Sequence, residues 1–270
     1  MKELIFNIKY LFCKREFYIA TFIILFLNLV HVFLCINESI RANYLFEELY
    51  SAEYQFVLYN NFINFDKLVI IVFPVIFSMI FSDSSWMDNN CKITNMLFFR
   101  LNYNKNIIIR AILSVFLTFF ISFFGFLFNY IVLRIIYGTG NSLTYWQSTA
   151  FSLFCDTEWF LDIVRHHNPT LFVLIINLCV SLVLGLLSCF SYLISFFIKN
   201  RIVIYFISPV FLILSELIFS KLGIKFLSFI KCLRPFSKYN VENFVICLLI
   251  LLFLNLILLY LRLIKKDLII

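Results

Sequence analysis

Six long apolar runs divide this chain, and they restrict its fold more than any other feature. A helix needs about 20 apolar residues to cross the ~30 Å hydrocarbon core of a bilayer. The runs make 63% of the 270 residues hydrophobic and leave only 14% charged, whereas roughly a quarter of a soluble domain is charged. The sequence therefore predicts an all-α integral membrane protein with six transmembrane helices. The predicted spans are residues 17–36, 66–82, 107–136, 170–198, 202–219 and 244–261.

The residues before the first run predict a separate helix lying in the membrane plane, over residues 1–16. Leu4, Ile8, Leu11 and Phe12 recur at helical spacing, and the lysines lie off that stripe. Acidic residues in this leader, and the lack of a small-residue cleavage site after the first run, argue against a cleaved signal peptide.

Basic residues concentrate in alternate connections, which predicts the orientation. The leader, residues 83–106 and the C-terminal tail are basic, while the first two outer connections are rich in acids. Both termini are therefore predicted to be cytoplasmic, within a single transmembrane domain over residues 1–270. The basic connection between the fifth and sixth spans opposes this orientation, and its apolar stretch 222–230 is predicted to dip into the membrane and return.

The net charge of +7 and the eight scattered cysteines point neither to a nucleic-acid partner nor to a zinc site. The basic residues flank apolar runs, so we assign their attraction to phospholipid headgroups and not to nucleic acid. No CxxC pair is present, so we expect neither a disulfide framework nor a zinc site. No P-loop, G-x-S-x-G or H-E-x-x-H motif occurs, which predicts no nucleotide binding, no enzyme activity and no cofactor in this chain.

The connection 83–106 carries the most informative pattern. Asp83, Ser84 or Ser85 can cap a helix that starts near Trp86. An amphipathic helix follows, and it suits docking against a cytoplasmic partner or lying on the lipid surface. Its residues at helical spacing are Ile93, Met96, Leu97 and Arg100.

The six-span plan, the in-plane leader and this connection together resemble the permease subunits of type-2 ABC exporters. The family has an acid, a threonine, a leucine pair and then basic residues leading into the third span. The matching residues here are Asp88, Thr94, Leu97 with Phe98, Arg100 and Arg110. The Lys265-Lys266-Asp267 tail is similar to the basic tail of the family.

The resemblance implies a coupling helix gripped by a separate cytoplasmic ATPase subunit, in a bacterial cytoplasmic membrane. It also implies a dimer with a second permease copy or paralogue, and a translocation path lined by the second and fifth spans. The residues implied for ATPase coupling are Trp86, Asp88, Ile93, Thr94, Met96, Leu97 and Arg100. The residues implied for the path are Ser78, Ser208 and Glu216.

Some polar residues within or beside the spans have two interpretations. Glu216 is a substrate or proton site, or it pairs with Lys221 at the interface. His31 is a packed neutral histidine or a proton relay, and we favour packing. The asparagines within the spans favour interhelical hydrogen bonds over a binding site. They are Asn28, Asn129, Asn177 and Asn255.

Two outer segments show amphipathic helical patterns. Glu158, Asp162 and His166 share one face and are metal-ligand types, but we favour a membrane-surface helix in which Asp162 pairs with Arg165 or His166. Leu45, Leu49, Ala52 and Phe56 form another stripe, which predicts packing on the membrane surface.

Three functions are compatible with these patterns. We favour an exporter permease that carries peptides or antimicrobial peptides. The second is a non-transporting membrane immunity or assembly protein, which would not need the helix after Trp86. The third is an intramembrane lipid-modifying enzyme or protease, for which the spans offer only His31 and Glu216 as reactive groups.

Overall fold

A computed structural model describes residues 2–41, 51–58, 65–84, 86–87, 103–138, 161–198, 200–224, 227–233 and 240–264. Every regular element within these ranges is a helix. The helices, renumbered in chain order, are α1 (Lys2–Phe12), α2 (Arg15–Arg41), α3 (Ala52–Gln55), α4 (Phe65–Phe81), α5 (Tyr103–Tyr137), α6 (Asp162–His167), α7 (Pro169–Ile194), α8 (Arg201–Lys221), α9 (Phe229–Leu233) and α10 (Val241–Ile264).

Five helices of the described chain are long and apolar enough to cross a membrane, namely α2, α5, α7, α8 and α10. The protein is therefore a multi-pass membrane protein by helix length and composition. The second predicted span also forms a helix, α4, but its 17 residues reach only about 25 Å, which is less than the thickness of the hydrocarbon core.

The long helices differ from the predicted spans mainly at their ends. Helix α5 has 35 residues and a length of about 52 Å, so it extends well beyond the hydrocarbon core. It begins at Tyr103, so the last residues of the 83–106 connection belong to a helix. Helix α7 ends at Ile194, and Ser195 caps it, before the predicted end at residue 198.

Helix α7 lies at the centre of the bundle. It contacts α4, α5, α8 and α10, and most of its residues from Phe172 to Leu193 are buried. Its start is fixed locally, because the Asn168 side chain accepts a hydrogen bond from the backbone N–H of Leu171 and Pro169 occupies the first turn.

Asparagine side chains tie neighbouring helices together within the apolar bundle. Asn129 donates to the carbonyl of Asn28 at 3.0 Å, joining α5 to α2. Asn177 donates to the carbonyl of Phe123 at 3.1 Å, and Asn255 to that of Leu186 at 3.1 Å. The prediction of interhelical hydrogen bonds is confirmed for the side chains of Asn129, Asn177 and Asn255, whereas the Asn28 side chain donates to the carbonyl of Ile24 in its own helix at 2.8 Å.

The segment 51–58 lies inside the bundle, so the predicted packing on the membrane surface is wrong for Ala52 and Phe56, while Leu45 and Leu49 lie outside the described residues. Ala52 and Phe56 are fully buried, and α3 contacts α5 and α7. Two polar bonds hold it there: Tyr130 donates to the Glu53 carboxylate at 2.8 Å, and the backbone N–H of Val57 donates to Asn129 Oδ1 at 3.3 Å.

Candidate functional site

Charged side chains from three separate parts of the chain meet at one end of the bundle. We call this group the charged cluster. Its members are Lys14, Glu16, Asp83, Arg201 and Tyr205. They come from the junction of α1 and α2, from the residues that follow α4, and from the first turns of α8.

Asp83 is the centre of the charged cluster and is completely buried. Its Oδ1 accepts a bond from Lys14 Nζ. Its Oδ2 accepts from Arg201 Nε at 2.9 Å, from Arg201 Nη2 at 2.7 Å and from the Tyr205 hydroxyl at 2.7 Å. A buried carboxylate is tolerated only when it is paired and hydrogen-bonded, and Asp83 meets both conditions.

Lys14 reaches Asp83 from the break between α1 and α2. Its ammonium also donates to the carbonyls of Met79 and Ile80, each at 3.3 Å, near the C-terminus of α4. Burial lowers the pKa of Lys14, and the neighbouring Asp83 carboxylate opposes that shift. Removing Asp83 would therefore leave the buried Lys14 without the negative charge that stabilises its protonated form.

Arg201 completes the charged cluster from the start of α8. Asn200 caps that helix by accepting from the backbone N–H of Ile202 at 3.0 Å, which places Arg201 in the first turn. The guanidinium pairs with Glu16 as well as Asp83. It also lies 5.7 Å from the centre of the Trp86 ring, a cation–π distance.

A second polar contact joins α1 to the start of α5. Asn7 is fully buried and donates to Asn106 Oδ1 at 2.6 Å, while Arg110 Nε donates to Asn7 Oδ1 at 2.7 Å. The Arg110 guanidinium lies 5.2 Å from the centre of the Tyr10 ring, and the Tyr10 hydroxyl approaches Met87 Sδ at 3.7 Å. The polar face of α1 therefore packs against the bundle.

The two ends of the 83–106 connection thus rest on the same N-terminal segment. Asp83, at its first residue, is held by Lys14, and Asn106, at its last, is held by Asn7. The apolar stripe predicted for α1 is divided between two environments: Leu11 is buried in the bundle, whereas Leu4 and Phe12 are exposed at its surface. The in-plane position of α1 stays a prediction.

Of the residues predicted to contact an ATPase, Trp86 lies in the described part of the chain, beside Arg201. The rest lie outside the described residues. They are Asp88, Ile93, Thr94, Met96, Leu97 and Arg100.

The two serines predicted for the translocation path are fully buried between helices. Ser78 donates to the carbonyls of Val75 at 2.7 Å and Tyr205 at 2.9 Å, so it links α4 to α8. Ser208 donates to the carbonyl of Leu187 at 3.1 Å and bonds the Ser191 hydroxyl, so it links α8 to α7. Their role in a path stays a prediction.

Glu216 lies about 12 Å along α8 from Ser208, so the structure separates it from the two serines. Its carboxylate accepts a bond from the Ser228 hydroxyl, just before α9. His31 is buried on α2, where its Nδ1 lies 3.2 Å from Asn129 Nδ2 and its ring meets the Phe65 ring at 5.0 Å. Glu216 and His31 are bonded to different neighbours on different helices.

The outer acidic segment shows the predicted ion pair. Arg165 Nη2 lies 2.6 Å from Asp162 Oδ1, and both side chains are buried. This confirms the pairing interpretation of Asp162. Among the described residues no group of three or more His, Cys, Asp or Glu side chains is arranged to hold a metal ion.

Sequence reasoning missed the charged cluster, although its residues were visible at the helix ends. In the sequence, Lys14 and Arg201 are visible only as basic residues beside apolar runs, and Asp83 only as a helix cap. The available signal was that charges adjoin the predicted cytoplasmic ends of the first, second and fifth spans. Ends that share one side of a membrane can meet.

Comparison with known proteins returns no match to this chain. No protein-family model matches it, and neither a curated protein sequence nor a solved structure does.

Proposed function

We propose that this protein is the membrane-spanning subunit of an ABC-type exporter in a bacterial cytoplasmic membrane. A separate ATPase subunit on the cytoplasmic side would supply the energy, and a second permease chain would complete the pathway. The cargo class we favour is a peptide, including antimicrobial peptides.

The observation that carries the proposal is the anchoring of both ends of the 83–106 connection on residues 7–16. Asp83 is tied to Lys14 and Arg201, and Asn106 is tied to Asn7. A partner that pulls on this connection would therefore pull on α2, α4, α5 and α8 together. This is the mechanical requirement for a coupling helix.

The energetics of the charged cluster favour movement of the 83–106 connection and the bonded helices as one unit. Separating one partner from a buried ion pair costs about 3–5 kcal/mol, so small displacements of the connection are passed to the helices before the contacts break. Alternating access then follows if the ATPase binds two arrangements of these helices with different affinity. Ser78, Ser208 and Glu216 lie on α4 and α8, the helices we expect to rearrange.

Co-purification with an ATPase tests the proposal. The tagged chain, solubilised in mild detergent from its native membrane, should retain a P-loop protein and ATP hydrolysis in the eluate. Changing Ile93, Met96 and Leu97 together to Ser should remove both, because it removes the apolar face of the connection. The matched control, Ile131→Ser with Ile135→Ser on the exposed surface of α5, should retain them.

The same experiment separates the competing functions. An assembly or immunity protein that does not transport has no need of the apolar face, so its partners would survive the triple substitution. Purified chain that carries no nucleotide-binding protein from native membranes would contradict the proposal.

A further inference from the structure

The turn after α8 builds a cavity at one end of the bundle. Gly223 adopts φ +73°, and the backbone N–H groups of Gly223 and Ile224 bond the carbonyls of Ser220 and Phe219. This is a Schellman motif, in which glycine takes the left-handed conformation and the next residue folds back onto the helix. Ile224 and Phe219 thereby form a fixed wall.

Helix α9 forms the opposite wall. The Phe229 ring lies 5.3 Å from the Phe211 ring and 6.2 Å from the Phe219 ring, and this holds α9 against α8. The cavity between them has a volume of about 120 Å³. It is lined by Glu216, Phe219, Ser220, Ile224, Leu227, Ser228 and Lys231.

The polar lining carries both signs of charge. Glu216 supplies a carboxylate and Lys231 an ammonium. The Ser228 hydroxyl donates to Glu216 and accepts from the backbone N–H of Lys231 at 3.3 Å, so it ties the start of α9 to α8. A ligand group of complementary charge to this lining has a cationic N–H donor and an anionic acceptor.

Cavity size limits how much of a ligand can enter. Pockets for whole small molecules usually exceed about 300 Å³, so this one accommodates only a group of a few heavy atoms. The surrounding surface of α8 is apolar, with Leu217, Ile218 and Leu222 each more than half exposed. A ligand with a small zwitterionic head and apolar tails fits both surfaces.

The position along α8 agrees with that chemistry. Helix α8 has 21 residues and is about 31 Å long, which matches the hydrocarbon core. Its last turn, where the cavity opens, therefore lies at headgroup depth in a membrane.

We propose that the cavity between α8 and α9 binds the phosphoethanolamine headgroup of a membrane lipid. The Glu216 carboxylate accepts from the ammonium, the Lys231 ammonium donates to the phosphate, and the acyl chains lie along α8. Choline headgroups fit less well, since a quaternary ammonium has no N–H to donate to Glu216. Glycerol headgroups lack the cation. The site is independent of the proposed transport function and stands whether or not an ATPase partner exists.

Lipid titration of the detergent-purified protein by native mass spectrometry tests this site. Phosphatidylethanolamine should bind about tenfold more tightly than phosphatidylcholine or phosphatidylglycerol of the same acyl chains, as expected for hydrogen bonds to charged groups. Glu216→Gln should remove that preference, whereas Lys231→Met should weaken the binding of all three lipids to a similar extent, because each carries the phosphate. The exposed charges changed in Glu242→Gln and Lys221→Met serve as matched controls, which should keep the preference.

A cavity-filling variant guards against a folding artefact. Ile224→Phe retains both charges but occupies the space, so it should also lose the preference while its thermal midpoint stays near that of the unaltered protein. Equal binding of the three lipids, or a preference that survives Glu216→Gln, would overturn the proposal. Displacement of the lipid by free phosphoethanolamine at equal concentration would assign the cavity to a soluble ligand and overturn the lipid assignment.

Discussion

Asp83 illustrates how a single buried side chain can organise several helices. It accepts hydrogen bonds from Lys14, Arg201 and Tyr205, and it is fully buried. Two basic and two acidic side chains meet here, counting Glu16, so the charges of the cluster balance. An amide in place of Asp83 would keep the shape but leave the two cations facing a neutral group.

We therefore expect Asp83→Asn to lower the free energy of unfolding by about 3–5 kcal/mol, the usual cost of breaking a buried pair by removing one partner. The measurement is equilibrium unfolding in mixed SDS–detergent micelles. Adding Lys14→Met should cost less than the sum of the two single changes, because the second change removes a cation that Asp83→Asn has already stranded.

The exposed Glu242→Gln is the control for this measurement, and it should change the free energy of unfolding by less than about 0.5 kcal/mol. If Asp83→Asn proves as mild as that control, the charged cluster does not stabilise the bundle.

At the scale of helices, the contact between α5 and α7 depends on small residues. Ser181 and Gly185 lie one turn apart on α7 and are buried. A Cβ atom at Gly185 would lie 2.8 Å from the backbone carbonyl oxygen of Val115. Helices in membranes use such residues to bring their backbones into direct contact.

Gly125 provides a graded comparison on α5. A Cβ there would meet the Ile24 Cγ2 atom at 2.9 Å, a side-chain methyl that can shift by a few tenths of an ångström more easily than a backbone carbonyl can. Replacing a helical glycine with alanine gains about 0.5–1 kcal/mol in conformational entropy, while overpacking a rigid contact costs about 1–3 kcal/mol. The net effect of an alanine on stability therefore differs between Gly185 and Gly125.

We predict that Gly185→Ala lowers the thermal midpoint in detergent clearly, because a backbone carbonyl cannot yield without separating the helices. Gly125→Ala should have a small effect of either sign. Size-exclusion chromatography after stepwise heating measures both. A midpoint for Gly185→Ala equal to or above that of Gly125→Ala would contradict the close approach of α5 and α7.

At the scale of the whole molecule, polar contacts show which helix ends lie together at each end of the bundle. Lys14, Asp83 and Arg201 meet at one end, with Asn7 and Asn106 beside them. At the other end, the Ser39 and Tyr137 hydroxyls lie 2.9 Å apart. Helices that alternate in direction place their ends in this way.

We predict that epitope tags at residue 1, at residue 95 and after residue 270 all lie on the cytoplasmic side, and that a tag at residue 145 lies outside. The contacts of Lys14 with Asp83 and of Asn7 with Asn106 require the N-terminal segment and the 83–106 connection to share a side. Antibody access to spheroplasts, before and after permeabilisation, measures this. A tag at residue 95 that is reached in intact spheroplasts would contradict both the topology and the proposed coupling.

The apolar runs alone were sufficient to predict an all-helical membrane protein, because hydropathy and helix length are local properties. Asn129, Asn177 and Asn255 were also assigned correctly as interhelical donors, since an asparagine inside a membrane helix has few other partners. The buried segment around Phe56 was not predicted, because its stripe fits a lipid surface and a protein interior equally well.

Only the tertiary structure decided which polar groups meet. Lys14 and Asp83 are 69 positions apart, and Asp83 and Arg201 are 118 apart. No local sequence pattern therefore links any two of them. Their pairing depends on which helix ends share one end of the bundle, and packing around α7 sets that arrangement. The sequence determined that helices span a membrane, and the fold determined that Lys14 and Arg201, at the ends of two helices, pair with Asp83 at the end of a third.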